Sequence, residues 1–113
     1  MDLRKYFRYE GSVIPEEVAI QLSEDDLDTI YADSNSVDRF NAYFHLENEL
    51  LYLMEQKNYT AAAHVCYLIS YYLFTALTPP HSDTLALAYA NKALELSPTD
   101  KYQNWLEEVK RGN

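Results

Sequence analysis

Few residues in this sequence could carry out chemistry, because its three histidines and one cysteine are scattered along the chain. His45 and Glu49 lie four residues apart, the spacing at which two side chains of one helix could share a metal ion. A single pair at this spacing is more commonly a solvated helix face. With only two glycines, the chain cannot build a phosphate-binding loop. We therefore expect no metal centre, no cofactor and no enzymatic activity.

Glu47 departs from the pattern of its own predicted helix. A helix is predicted from about Ser36 to Lys57, with polar residues on one side and apolar residues in one arc. The apolar arc consists of Phe40, Tyr43, Phe44, Leu46, Leu50, Leu51, Leu53 and Met54, and the polar side of Asn41, His45, Asn48, Glu49, Tyr52, Glu55 and Gln56. Glu47 lies near the centre of the apolar arc. Its carboxylate either reaches solvent or a nearby Lys or Arg, or it lines a groove and binds a cation on a partner.

The elements that must position these residues are organised around one apolar stretch, Tyr59 to Leu77, which contains no charged residue, Gly or Pro. On a helix its polar residues form one narrow strip, because they recur every three or four positions. The strip consists of Thr60, His64, Tyr67, Tyr71 and Thr75. The rest of the helix surface is apolar, so it must be packed on at least two sides or lie in lipid. Cys66 is expected to be a small buried hydrophobe in a reducing compartment.

We expect a cytoplasmic protein rather than a membrane protein. The stretch from Tyr59 to Leu77 is long enough to span a bilayer, but His64, several mid-span tyrosines and the lack of flanking Lys or Arg clusters argue against it. The first fifteen residues are charged and lack the apolar core of a signal peptide. The 113 residues should form a single domain, with an acidic segment of short helices at 1–35 and a helical core at 36–113.

The net charge of −9 is concentrated near the start of the chain. Residues 10–33 carry eight acids and no base, and the rest of the chain contributes little to the excess. Binding to nucleic-acid phosphates would need the opposite sign, so nucleic acid is excluded as the main partner. The acidic segment is either a solvated face or a docking surface for a basic partner.

Capping signals predict two short helices in the acidic segment, or a single kinked one. Pro15 followed by Glu16 and Glu17 suits a helix start, because proline is tolerated in the first turn and acids favour the positive end of the helix dipole. Ser23 with Asp26 three residues later resembles a capping arrangement for the second helix.

Prolines and caps also divide the C-terminal part into helices. The run at 78–80 ends the central helix, because proline lacks the backbone donor. Ser82 or Asp83 should cap the next helix, and Ser97 followed by Pro98 should cap the last one. The predicted buried face of the first of these helices has Ala86, Ala90 and Ala93 along its middle, flanked by Leu85, Leu87, Tyr89, Leu94 and Leu96. The apolar side of the last helix consists of Tyr102, Trp105, Leu106 and Val109. The predicted fold class is all-α, with antiparallel helical hairpins packed helix upon helix.

Two stretches share a pattern of small and aromatic residues. In residues 86–98, small residues stand at 86 and 93, an aromatic at 89, and a proline where the next helix should open. In residues 55–62, a turn is followed by an aromatic residue at 59 and a small residue at 62. These stretches resemble the second helix and the inner turn of the tetratricopeptide repeat, a helix–turn–helix unit of about 34 residues.

The resemblance covers roughly residues 43–109 and departs from the repeat in three places. Lys57 stands where a turn glycine is common, Leu50 occupies a small position, and the stretch from Tyr59 to Leu77 is several residues too long. The resemblance implies a short, degenerate right-handed array of helical hairpins, closed by a C-terminal capping helix.

The resemblance further implies protein or peptide binding along the concave face formed by the first helices. The ligand-facing positions carried over to this chain are Phe44, Glu47, Asn48, Leu51 and Glu55. Members of the family that bind a terminal carboxylate use Lys and Arg at such positions. Of the five residues, only Asn48 matches the pattern of these carboxylate binders, because Glu47 and Glu55 have the wrong charge to bind a carboxylate. The implied partner is therefore a basic or amphipathic protein segment.

Two functions of different classes remain open. The first is an adaptor or chaperone that buries the apolar face of a partner segment in a helical groove. The second is an acidic immunity or antitoxin-type protein that neutralises a basic enzyme through residues 10–33. An enzyme of unrecognised type is a third alternative. A homodimer is also open, because so few repeats can leave an apolar face uncovered.

Overall fold

The computed structural model describes residues 3–7 and 14–112, except for the side chains of Arg4 and Lys5. Its elements are α1 (Arg4–Phe7), α2 (Glu16–Ala19), α3 (Glu24–Asp33), α4 (Ser36–Glu55), α5 (Tyr59–Tyr72), a π-helix (Leu73–Leu77), α6 (Ser82–Leu96) and α7 (Asp100–Arg111). No strand occurs within these ranges, so the predicted all-α class is confirmed. Glu10, the first acid of the acidic segment, lies outside the described residues.

Helix α5 forms the centre of the fold. Ten of its fourteen residues are buried. Helices α3, α4 and α6 pack against it, and α7 packs against α6. Val65, Ile69 and Leu73 are almost fully inaccessible to solvent. The expectation that this apolar stretch is packed on several sides is therefore confirmed.

Cys66 is fully buried in α5, as predicted. Burial in this apolar surrounding raises the pKa of its thiol to about 12. The thiol is therefore protonated at neutral pH and behaves as a small apolar side chain.

The stretch from Tyr59 to Leu77 is, within the described part of the chain, the one helical stretch long and apolar enough to cross a membrane. About two thirds of it, 67%, is buried inside the fold. The core helix of a soluble protein has the same length and composition. Since the neighbouring helices already cover this stretch, it serves here as a core helix.

Local capping signals fix the starts of α3 and α4. Ser23 and Asp26 form a reciprocal capping box, in which the Ser23 hydroxyl accepts from the Asp26 amide at 3.2 Å and the Asp26 carboxylate accepts from the Ser23 amide at 3.0 Å. Two separate short helices, α2 and α3, are therefore present. At the start of α4 the cap is Asn35, whose side chain accepts from the Asp38 amide at 2.8 Å.

The predicted start of the last helix is wrong by two residues. The backbone N–H of Ser97 still donates to the carbonyl of Ala93, so Ser97 completes α6 instead of capping α7. The cap of α7 is Thr99, whose hydroxyl accepts from the Tyr102 amide at 3.3 Å. Pro98 lies in the connection before this cap.

The chain reverses direction after α4 through a left-handed residue. Lys57 has a φ of 60°, a conformation that glycine adopts far more easily than lysine. This is the position at which the tetratricopeptide repeat commonly has glycine. Thr78, at the end of the π-helix, has a φ of 40° and directs the chain into Pro79.

Ser70 joins three helices through one buried hydroxyl. The Ser70 hydroxyl donates to the carbonyl of Ala86 on α6 at 2.6 Å, and its oxygen accepts from the indole N–H of Trp105 on α7 at 2.8 Å. Sequence analysis missed this contact because Ser70 lies outside the polar strip of α5. The sequence feature from which this contact could have been predicted is a single serine in the central helix that faces the alanine-rich side of α6.

Replacing Ser70 by Ala should lower the free energy of unfolding by about 1–3 kcal/mol, because the indole N–H of Trp105 loses its acceptor. Urea unfolding followed by the fluorescence of Trp105 measures this change. Thr75→Ala is the control, since the Thr75 hydroxyl is exposed and donates to the carbonyl of Tyr71, four residues earlier. The control should change stability by no more than about 0.5 kcal/mol. Equal losses in the two variants would contradict the role of Ser70.

Candidate interaction surface

Helix α4 buries a different face from the one predicted. Its buried residues are Ala42, Leu46, Glu49, Leu50 and Leu53. Phe40, Phe44 and Leu51, which belong to the predicted apolar arc, are 51%, 61% and 63% exposed. The reason is that α1 and α2 pack against the side of α4 that was assigned to solvent. Phe7 of α1, for example, packs edge-on against His45, with ring centroids 6.3 Å apart.

The outer side of α4 carries a line of exposed apolar side chains. Val37 is 59% exposed and lies three residues before Phe40, on the same side as Phe44 and Leu51. We call Val37, Phe40, Phe44 and Leu51 the α4 row. Single exposed apolar residues are normal on a protein surface, but an aligned set of this size is characteristic of an interaction site.

The five residues implied by the tetratricopeptide resemblance lie along this side of α4. Phe44 and Leu51 belong to the α4 row, and Asn48 and Glu55 are exposed at neighbouring helical positions. Glu47 is half-buried beside them. The structure therefore brings these five residues together on one helix face.

Glu47 contacts α6 through a tyrosine. The hydroxyl of Tyr89 donates to its carboxylate, and the hydroxyl of Tyr43 lies 3.0 Å from that of Tyr89. Burial and the hydrogen bonds to Glu47 and Tyr43 raise the pKa of Tyr89 well above its ordinary value, so it remains a neutral donor. Within the described part of the chain, the partner of Glu47 is thus a tyrosine hydroxyl and not Lys or Arg. This contact holds the carboxylate toward α6.

Glu49 is the buried carboxyl of α4, although the sequence pattern assigned it to a solvated face. It is 1% exposed, and neither carboxylate oxygen has a hydrogen-bond partner among the described residues. Loss of solvation, with a smaller effect of the nearby Glu16 charge, raises the pKa of Glu49 to about 7. With His45 it belongs to no group of three or more potential metal ligands in the described part of the chain.

Helix α3 contacts the middle of the polar strip of α5 with its acidic side chains. The hydroxyl of Tyr67 donates to Glu24 at 2.6 Å, and the hydroxyl of Tyr71 donates to both carboxylate oxygens of Asp28 at 3.0 Å. Burial alone would raise the pKa of Glu24. The hydrogen bond from Tyr67, with further help from the backbone and Lys101, instead holds this pKa below its ordinary value. Two acids of the acidic segment therefore act as internal acceptors.

Helix α2 and the connection that follows it add two further contacts to α5. The side chain of His64 lies 2.8 Å from the backbone carbonyl of Leu22, and partial burial lowers the pKa of His64, so its neutral ring can donate to that oxygen. The side-chain amide of Asn58, which also caps α5, donates to Glu16. Among the acids of this segment from Glu16 onward, Glu17, Asp25, Asp28 and Asp33 are exposed.

Comparison of the chain with protein-family models, with curated proteins and with solved structures finds no match. The tetratricopeptide resemblance therefore stays a prediction.

Replacing Glu49 by Gln should stabilise the fold above pH 7 and have little effect near pH 4. The folded-state pKa of about 7 lies above the ordinary value of 4.5, so the folded state keeps a proton that the unfolded state loses between these values. The free energy of unfolding of the wild type therefore falls by about 3 kcal/mol in total as the pH rises from 4.5 to 7. In Glu49→Gln this loss is absent, because the glutamine side chain does not ionise. Urea unfolding at several pH values measures the difference.

Glu55→Gln is the matched control, because Glu55 is an exposed carboxylate on the same helix. Its stability should follow the wild-type dependence on pH. If Glu49→Gln also kept the wild-type slope between pH 4.5 and 7, the buried state of Glu49 would be refuted.

Proposed function

We propose that this chain is a protein–protein interaction module, an adaptor or chaperone, that binds a partner segment along the outer side of α4. The observation that carries this proposal is the α4 row, in which four large apolar side chains are exposed in one line on a single 20-residue helix. Such a helix is about 30 Å long, which suits an extended or helical partner segment.

The packing order of the helices supports a short tetratricopeptide-like array. Helices α4 and α5 would form one hairpin and α6 and α7 the next, because contacts follow this order along the chain. The left-handed Lys57 provides the tight reversal within the first hairpin. In this arrangement α6 is a first helix beside α4, whereas its sequence resembles a second helix. Helix α7, with exposed Glu107 and Glu108, would be the polar-backed cap.

The chemistry of the surface favours an amphipathic protein segment as the partner. The α4 row offers apolar contact area, and the exposed Glu55 adds one negative charge at its C-terminal end. A net charge of −9 disfavours nucleic acids and anionic lipid surfaces. We infer a cytoplasmic location from the single buried thiol of Cys66 together with this acidic composition.

The alternative function, neutralisation of a basic enzyme by the acidic segment, is less well supported, because several acids of that segment are engaged within the fold. Glu16, Glu24 and Asp28 accept hydrogen bonds from side chains of their own chain, and Asp26 belongs to a helix cap. These acids stabilise the fold, so they cannot all be free for a basic partner. For this reason we propose the α4 row, and not the acidic segment, as the binding surface.

Leu51→Asp should abolish capture of the partner by the tagged chain. Burial of one leucine contributes about 1.5–3 kcal/mol, so its loss should weaken binding by at least about tenfold. Affinity purification with mass spectrometry, in low and in high salt, compares the variant with the wild type. Partners bound through the α4 row should persist in high salt, because apolar burial is not screened.

Two control variants make this experiment specific. Ile20→Asp changes an exposed apolar residue, 52% accessible, that lies outside α4. The combined variant Glu17→Gln, Asp25→Asn and Asp33→Asn neutralises exposed acids outside the capping box and the tyrosine contacts. Both should retain the partner that Leu51→Asp loses. Loss of the partner in the neutralised variant, with retention in Leu51→Asp, would assign binding to the acidic segment and overturn the proposal.

A further inference from the structure

The α4 row is part of a longer heptad pattern. Positions 37, 40, 44, 47, 51 and 54 are separated by 3, 4, 3, 4 and 3 residues, which is the spacing of a and d positions in a coiled coil. The residues are Val37, Phe40, Phe44, Glu47, Leu51 and Met54. The f positions Ala42 and Glu49, on the opposite side of the helix, are buried in the fold. One side of α4 therefore packs on its own domain, and the side that carries these six positions, the heptad face, is available to a partner.

We propose that the occupant of this face is α4 of a second copy of the chain, packed antiparallel across a two-fold axis that passes between Phe44 and Glu47. This inference rests on one part of the proposed function, the α4 row as a binding surface, and it names a second copy of the chain as the partner of that surface. The spacing 3-4-3-4-3 reads the same in both directions, so an antiparallel copy places every a position against a d position. Phe40 then faces Leu51 of the second copy, and Val37 faces Met54.

The charges of α4 favour the antiparallel arrangement. A parallel pair would set Glu47 against Glu47 in the contact line, and like charges at such a position are destabilising. In the antiparallel pair, Glu47 faces Phe44, while its carboxylate is held toward α6 by Tyr89. Glu55 comes next to the first turn of the other α4, where the positive end of the helix dipole favours a carboxylate, although Asp38 already lies in that turn.

The flanking positions of the antiparallel pair are also compatible. Asn41 and Asn48 occupy e positions, and each Asn41 lies beside Asn48 of the second copy, where the two side-chain amides can bond to each other. No like charges face each other at these flanking positions. The contact involves one helix per copy, so it is smaller than a standard interface and should give a dissociation constant in the micromolar range, on the order of 1–100 μM.

Sedimentation equilibrium of the full chain between about 1 and about 500 μM tests the dimer directly. A monomer–dimer equilibrium is expected for the wild type and for Ile20→Asp. Leu51→Asp should shift the dissociation constant upward by at least about 100-fold, because Leu51 occurs twice in the symmetric contact. A wild type that stays monomeric over the whole range overturns the inference. A dimer that Leu51→Asp leaves unchanged overturns it equally.

Disulfide cross-linking tests the antiparallel register. In the variant Phe40→Cys with Leu51→Cys, each new thiol should meet one of the second copy, so mild oxidation should give a covalent dimer. In Leu51→Cys alone the two thiols are about 16 Å apart along the axis and should not cross-link. Cys66 is buried and does not compete. Efficient cross-linking of the single variant would contradict the antiparallel register.

The two proposals can fail separately. If the wild type is monomeric but Leu51→Asp still loses a partner that Ile20→Asp retains, the partner is another protein, and the dimer inference fails while the proposed function stands. If the dimer forms as described and other captured proteins are indifferent to Leu51→Asp, the dimer stands and the adaptor function fails.

Discussion

Burial of α5 on nearly all of its sides is the constraint on which the rest of the structure depends. An apolar helix with one polar strip needs apolar cover over most of its surface and hydrogen-bond acceptors along the strip. Helices α4 and α6 provide the apolar cover. Glu24 and Asp28 of α3 provide acceptors for Tyr67 and Tyr71. The acidic segment therefore has a structural role that its charge alone did not reveal.

The same constraint explains the two unusual features of α4. Apolar residues occur on most sides of this helix, and α5 can cover only some of them. The short helices α1 and α2 close over the flank that carries Glu49, which loses its solvation. The aromatic residues Phe40 and Phe44 are left in water on the opposite flank. One helix thus has a buried carboxyl group and an exposed apolar line, and these have the same cause.

Helix positions could be predicted from sequence because their signals are local. The capping box at Ser23, the prolines after Thr78 and the length of the apolar stretch each act within a few residues. The orientation of α4 could not be predicted, since it depends on helices distant in sequence that cover one flank. The N-cap of α7 is Thr99 and not Ser97, because α6 extends as far as Ser97. The five candidate site residues share one face of α4, but their binding role remains a prediction.

The solvent exposure of the four phenylalanines of the chain is the most direct test of which side chains the fold buries and which it leaves exposed. Phe7 and Phe74 are buried, whereas Phe40 and Phe44 are exposed. We suggest fluorine NMR of fluorophenylalanine-labelled protein, diluted so that single copies dominate, with a soluble paramagnetic agent added. The agent should broaden the signals of Phe40 and Phe44, assigned through Phe40→Leu and Phe44→Leu, and leave the other two sharp. Protection of all four signals, or broadening of Phe7 or Phe74, would contradict the account.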